Sequence, residues 1–180
     1  MNTYIALLRG INVGGKSTLP MKELVGILKG LEGSAVRTYI QSGNVVFEHA
    51  QTKPETLAQN VKQAIAQARG FAPAVMILEP TQLKDALKNC PFDLSDAQGK
   101  TIHFFFFSEQ PKNPKLDSLE AVKASSEAFE LGKGVFYLKA PDGIGRSKLA
   151  AKIEKALGVD TTARNLNTVR KLIEISEVDT

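Results

Sequence analysis

Cysteine is nearly absent from this 180-residue chain: Cys90 stands alone. No internal disulfide can form, and a single thiol cannot supply a cysteine cluster for zinc or iron. That points to a reducing compartment. Histidine is scarce as well. His49 and His103 lie in or beside strand-like runs without a ligand-spaced partner, so they read as surface or packed side chains and no metal site is legible. Tryptophan is missing altogether, and nothing matches the aromatic signature of RNA-recognition domains, so the sequence gives little support to base stacking on a sheet. No stretch approaches the roughly 18 apolar residues of a membrane span. The segment from Met1 to Arg9 is strand-like and lacks the basic start of a secretion signal. The expectation is a cytoplasmic protein that does not enter a membrane and carries no cofactor.

What is present is an apolar content of 43%, ordinary for a chain with a full core. Net charge is only +4, but it is unevenly spread. Between Leu131 and Lys171 nine Lys and Arg residues stand against three acids, an excess of six that suits a solvated helix face or an anionic partner.

Periodicity divides the chain into alternating elements. Tyr4–Arg9 is a short apolar run, a Gly-rich loop follows, and Met21, Leu24, Val25 and Leu28 recur at helical spacing from Pro20 to Leu31. Val36–Gln41 and Asn44–Glu48 read as a hairpin turning tightly at Ser42 and Gly43. A helix begins at Pro54, the favoured first position, and runs to Arg69; Ala74–Leu78 closes the unit as a strand. The order βαββαβ packs most simply as a four-stranded antiparallel sheet with both helices on one face, the other face staying available. After a linking helix near Thr81–Asn89 the pattern recurs: strand Ile102–Phe107, helix Pro114–Lys123, a hairpin over Ala128–Lys139 turning at Gly132–Gly134, helix Arg146–Leu157, an extended piece at Thr161–Arg164 and a final helix Asn165–Ile175. The fold class is therefore α+β, two ferredoxin-like modules over residues 1–80 and 81–180, the second followed by a C-terminal helix. One continuous domain is the alternative.

Three segments carry chemistry-bearing residues. The first, Arg9 to Ser17, reads RGINVGGKS, and Gly10, Gly15, Lys16 and Ser17 stand at P-loop spacing. In a P-loop the Lys and Ser occupy the first turn of the helix, yet Pro20 puts the helix start near Leu19 or Pro20 and leaves Lys16 in the loop. The following hairpin also disagrees with a parallel sheet, so a nucleotide triphosphatase is disfavoured. The second segment, PDGIGRSK from Pro141 to Lys148, follows a strand and opens a helix. Asp142 and Gly143 suit a turn, Gly145 frees the backbone, Ser147 can cap, and Arg146 and Lys148 add charge. The third, Thr161 to Lys171, is rich in Asn, Thr and Arg, with Asn165 a candidate N-cap. Ser42 lies in a hairpin turn rather than on a nucleophile elbow, and Cys90 lacks an evident base. The run Phe104–Phe107 reads as a doubly buried strand, since successive residues face opposite ways.

The strings ALLRGINVGGKSTLPM (Ala6–Met21), VRTYIQSGNVVF (Val36–Phe47), PDGIGRSKLA (Pro141–Ala150) and TTARNLNTVRKL (Thr161–Leu172) together resemble the hallmark blocks of the domain-of-unknown-function 1697 family, found in bacteria. That family commonly has Asn where Ser17 stands, which makes the P-loop spacing an accident, and Trp where Leu166 stands. The resemblance implies ferredoxin-like architecture and no assigned catalytic residues.

The residues themselves point to binding of an anionic ligand, either a phosphate-containing small molecule or single-stranded nucleic acid. The candidate contacts are Arg9, Asn12, Gly14, Gly15, Lys16, Gln41, Ser42, Asn44, Asp142, Gly145, Arg146, Lys148, Arg164, Asn165 and Asn167. Alternatives from other classes are an enzyme acting on a phosphorylated or carboxylated metabolite and a protein-interaction scaffold. The chain is expected as a monomer or homodimer.

Overall fold

The computed structural model describes residues 1–51, 53–95 and 98–178. Its strands are β1 (Asn2–Arg9), β2 (Ser34–Tyr39), β3 (Asn44–His49), β4 (Ala74–Leu78), β5 (Ile102–Phe106), β6 (Ala128–Leu131), β7 (Val135–Lys139) and β8 (Thr162–Asn165). Its helices are α1 (Met21–Gly30), α2 (Pro54–Arg69), α3 (Pro80–Lys88), α4 (Leu116–Glu120), α5 (Ile153–Leu157) and α6 (Leu166–Glu177). The chain divides into two compact units: Met1–Leu83 with the C-terminal residues from Lys171, and Lys84–Arg170.

Each unit holds one four-stranded antiparallel sheet, ordered β2-β3-β1-β4 in the first and β6-β7-β5-β8 in the second. In both, the first and third strands of the βαββαβ series are central and the second and fourth are edges. This is the ferredoxin-like arrangement, used twice.

Alternation along the strands builds the cores. In the first unit Tyr4, Ala6 and Leu8 of β1 and Val45 and Phe47 of β3 share a face with Leu24 and Leu28 of α1 and Leu57, Val61 and Ile65 of α2. Burying each such aliphatic side chain contributes about 1.5–3 kcal/mol. α2 has the bounds its sequence predicts, Pro54 at the first turn and Gly70 at φ +76 closing it. In the second unit Phe105, Phe136 and Leu138 pack on Leu119, Ile153 and Leu157, with the Phe105 and Phe136 rings edge to face at 6.2 Å.

Four expectations are corrected. The β2–β3 connection is not a two-residue turn at Ser42 and Gly43; it spans residues 40–43, with Ile40 and Gly43 at positive φ. The helix expected over Arg146–Leu157 is broken into turns of 3-10 helix at Ile144–Arg146 and Ala150–Lys152 before the short α5, because Ser147 is extended (φ −74, ψ 113) between them. The helix expected over Pro114–Lys123 shrinks to Leu116–Glu120. The sheet face away from the helices is not open: Ile5, Leu7 and Val46 are as buried as the helix-facing residues. The unbroken apolar runs of β1 and β3 are the reason, since a strand buried on both faces needs no polar alternation. The same logic holds where it was expected, and Ile102 to Phe107 is buried throughout.

Candidate functional site: a glycine-framed loop end

β1 delivers the chain into residues 10–20, where Gly10, Asn12, Gly14, Gly15 and Ser17 all adopt positive φ. Gly14 (φ +61) and Gly15 (φ +73) are the two central residues of a tight turn of the kind that needs left-handed backbone at both positions. The Lys16 amide donates to the Val13 carbonyl (3.2 Å) and the Asn12 amide to the Ser17 carbonyl (3.2 Å), so the segment is a miniature hairpin. Val13, Gly14, Gly15 and Lys16 project into solvent at its tip. α1 begins only at Met21, with Lys16 and Ser17 still in the loop, so phosphate-wrapping P-loop geometry is absent.

Asn12 organises this loop. Its Nδ2 donates to the carbonyls of Leu19 (2.9 Å) and Gln41 (2.8 Å), and its Oδ1 accepts the Leu19 amide (2.8 Å). One side chain thus closes the loop on itself and ties it to the β2–β3 turn. Gly43 completes the junction: its carbonyl accepts the Leu8 amide (2.8 Å), and a Cβ there would come within 2.6 Å of Leu8 Cβ and 2.9 Å of Ile11 Cδ1. Asn44, wholly buried, donates to the Tyr39 carbonyl (3.2 Å) and Ser42 Oγ (2.9 Å) and so shapes the turn from inside. On the other flank Arg69, which the sequence reading missed, gives two bonds to the Thr18 carbonyl (3.1 and 2.7 Å) and meets Glu23 at 3.4 Å. No local signal could have found it, since it acts across 51 residues.

The sequence-predicted residues of the first unit therefore converge on one end of its sheet, in two roles. Asn12 and Asn44 are spent on the scaffold. Arg9, Lys16, Gln41 and Ser42 are exposed at its surface, and the amides of Gly14 and Gly15 meet no partner among the described residues.

The predicted residues of the second unit gather differently. β7 and β8 flank β5, with Ile102 opposite Lys139 and His103 opposite Asn165, so PDGIGRSK and the β8–α6 junction leave the same end of that sheet about 10 Å apart. Asp142 accepts from Ser126 Oγ (2.7 Å), Ser147 Oγ caps the Ala150 amide (2.9 Å), and Asn165 Oδ1 caps the Thr168 amide (3.0 Å). The Asn167 amide side chain lies directly over Gly99, leaving no room for a Cβ there. Arg164 shares a face with Phe104 and Tyr137, opposite the face of Phe105 and Asn165, and burial lowers its pKa to about 10. Arg146 and Lys148 stand exposed on the loop beside Gly145.

His103 also lies here, 7% exposed, with Nε2 buried and without a partner; burial lowers its pKa, against a bond to the Lys100 backbone. His49, by contrast, is packed between Leu31 O (2.7 Å from Nε2) and the Gln51 amide (2.8 Å to Nδ1). Cys90 is half-buried, and burial pushes its thiol up, the reverse of what a nucleophile needs. No group of three or more potential metal ligands occurs among the described residues, and no described helix is long and apolar enough to cross a membrane.

Comparison with known proteins agrees with the architecture. The chain covers 97% of itself and 98% of the structure of a conserved bacterial protein from Streptococcus pneumoniae, SP0830, at TM-score 0.74 and 26% identity. No curated protein matches it. Residues 1–137 match the model of a family described as a protein of unknown function, DUF1697, and the chain belongs to that family.

Proposed function

We propose, since membership in that family brings no activity with it, that the protein binds a phosphate-bearing ligand at the loop end of its first unit. The observation that carries this is the bridge from Asn12 to the Gln41 carbonyl. It ties two loops into one surface, on which Lys16, Gln41 and the Gly14 and Gly15 amides are offered outward, with Arg9 and Ser42 exposed beside them. Successive amides in left-handed glycine turns form concave anion receptors, and a nearby ammonium supplies the charge. The hydrogen bonds that tie the two loops support the same reading, because a surface already ordered pays less entropy when a ligand arrives.

Thermal-shift measurements with nucleotides, phosphorylated metabolites and short RNA, at low and moderate salt, test it. The expected result is a rise in Tm that shrinks with salt and is lost in Lys16→Ala, while Lys148→Ala in the second unit keeps it. An undiminished rise in Lys16→Ala would falsify the assignment to this loop end.

A further inference from the structure

We infer that the ligand of this loop end is a nucleotide unit, a nucleobase joined to phosphate, either free or within a single strand; the inference rests on the anion-binding reading above. Two aliphatic side chains carry it. Val13 at the hairpin tip is 69% exposed and Ile40 at the entry to the β2–β3 turn is 52% exposed. Asn12, next to Val13, bonds the carbonyl of Gln41, next to Ile40, so the two stand on adjoining loops.

The fold gives no reason for either. Ile40 holds φ +50, a conformation that a β-branched residue adopts only under strain and that Gly or Asn takes with ease. An isoleucine kept there and half out of water gains little from burial. An inorganic anion has no use for it either, since charge and amide donors satisfy such a ligand. A nucleobase does: it is a flat face that apolar side chains close upon, covalently attached to the phosphate that Lys16 and the glycine amides receive. Phe47, Phe104 and Phe136 are wholly buried and unavailable for that role, so the base contact falls to the exposed aliphatic pair, with the partly exposed Tyr39 next to Ile40 at the end of β2. Two such groups on rigid turns are too little apolar surface to anchor the chain on a bilayer, and far below the area of a stable protein interface.

Fluorescence anisotropy at low salt tests the inference with a labelled short single-stranded oligonucleotide, a nucleoside monophosphate as competitor and inorganic polyphosphate of matched charge. Ile40→Asn is the informative variant, since Asn relieves the left-handed strain and the protein should melt at a higher temperature. Affinity for the oligonucleotide should nonetheless fall about three- to tenfold, as expected for losing one partly covered aliphatic contact, with polyphosphate binding within about twofold of wild type. Val13→Ser, at an exposed position, should act in the same direction. Competition by the monophosphate at comparable affinity assigns the site to free nucleotides; its failure alongside tight oligonucleotide binding assigns it to strands. If Ile40→Asn weakens polyphosphate and oligonucleotide alike, or neither, the base contact is wrong while the anion site stands. Binding of no probe by the wild type removes both.

Discussion

The two units set different charges on one architecture at corresponding ends of their sheets. In the first, Asn12 of the β1–α1 loop reaches the backbone of the β2–β3 turn; in the second, Gln110 of the β5–α4 loop does the same, donating to the Gly132 carbonyl (3.2 Å) and accepting the Gly134 amide (3.1 Å). A side-chain amide is suited to both, because it carries donor and acceptor on one rigid group. Around the first clamp stand Arg9, Lys16 and Arg69. Beside the second, Ser108, Glu109, Glu154, Lys155, Gly158, Val159 and Asp160 line an open cleft of about 590 Å³, three carboxylates to one ammonium. The fold dictates that these loops meet. Which charge they present is free to differ, so function has to be argued from each end separately.

The clamps themselves are the place to break the likeness first. Asn12 makes three bonds, one of them to a buried loop residue's amide, and sits at φ +55, where alanine is strained. Asn12→Ala should cost about 3 kcal/mol, summing unsatisfied groups and left-handed strain. Gln110 is exposed, with its partners in reach of water, and Gln110→Ala should cost about 1 kcal/mol. Urea denaturation of both variants checks the ratio, and equal losses would mean that the clamps are equivalent after all.

The hairpin turns give the second contrast. Gly43 and Gly134 have nearly the same φ, +77 and +75, yet a Cβ at 43 collides with Leu8 and Ile11 while one at 134 meets nothing within 4 Å. Gly43→Ala should therefore cost about 2–3 kcal/mol, strain plus overpacking, and Gly134→Ala only the strain, about 1 kcal/mol. Thermal melts of the pair separate the two contributions.

Most of this architecture was legible in the sequence, and the exceptions have physical causes. Helix α2 could be bounded because Pro54 and an unbroken apolar face up to Arg69 are local signals. The stretch from Ile144 to Leu157 could not, because Leu149, Ile153 and Leu157 keep helical spacing while the backbone at Ser147 is extended. Spacing reports which side chains point inward and is blind to a turn inserted between them. At the site, composition singled out the Gly, Asn and Lys of residues 9–16. It could not divide them into Asn12, whose amide is consumed by Leu19 and Gln41, and Lys16, which is exposed. The local charge count in the second unit carried no positions: its basic excess includes Arg146 and Lys148 at one end of the sheet, while Glu109, Glu154 and Asp160 line the other.

Helix capping marks a further difference. Neither α1 nor α2 has a side-chain cap, whereas Asn165 caps α6 through the Thr168 amide. Asn165→Ala should cost about 1 kcal/mol and Asn165→Asp close to none, read by denaturant midpoint.

His103 gives the second unit a response to acid, the smallest of these effects near neutrality. His103 is buried in the second unit and its pKa is held below 6.5, so the unfolded chain takes up a proton there before the folded protein does. Stability is then lost as pH falls below about 6.5 and levels off only once the folded imidazole is itself protonated. Above that range both states are neutral and His103 contributes no pH dependence. His103→Leu puts an apolar side chain in the site, giving up the Lys100 bond but also removing the unpaired Nε2, and it flattens the slope between pH 7 and 5. Unfolding free energies of wild type and variant, measured across that range, decide the matter: parallel curves would place the acid sensitivity elsewhere in the chain.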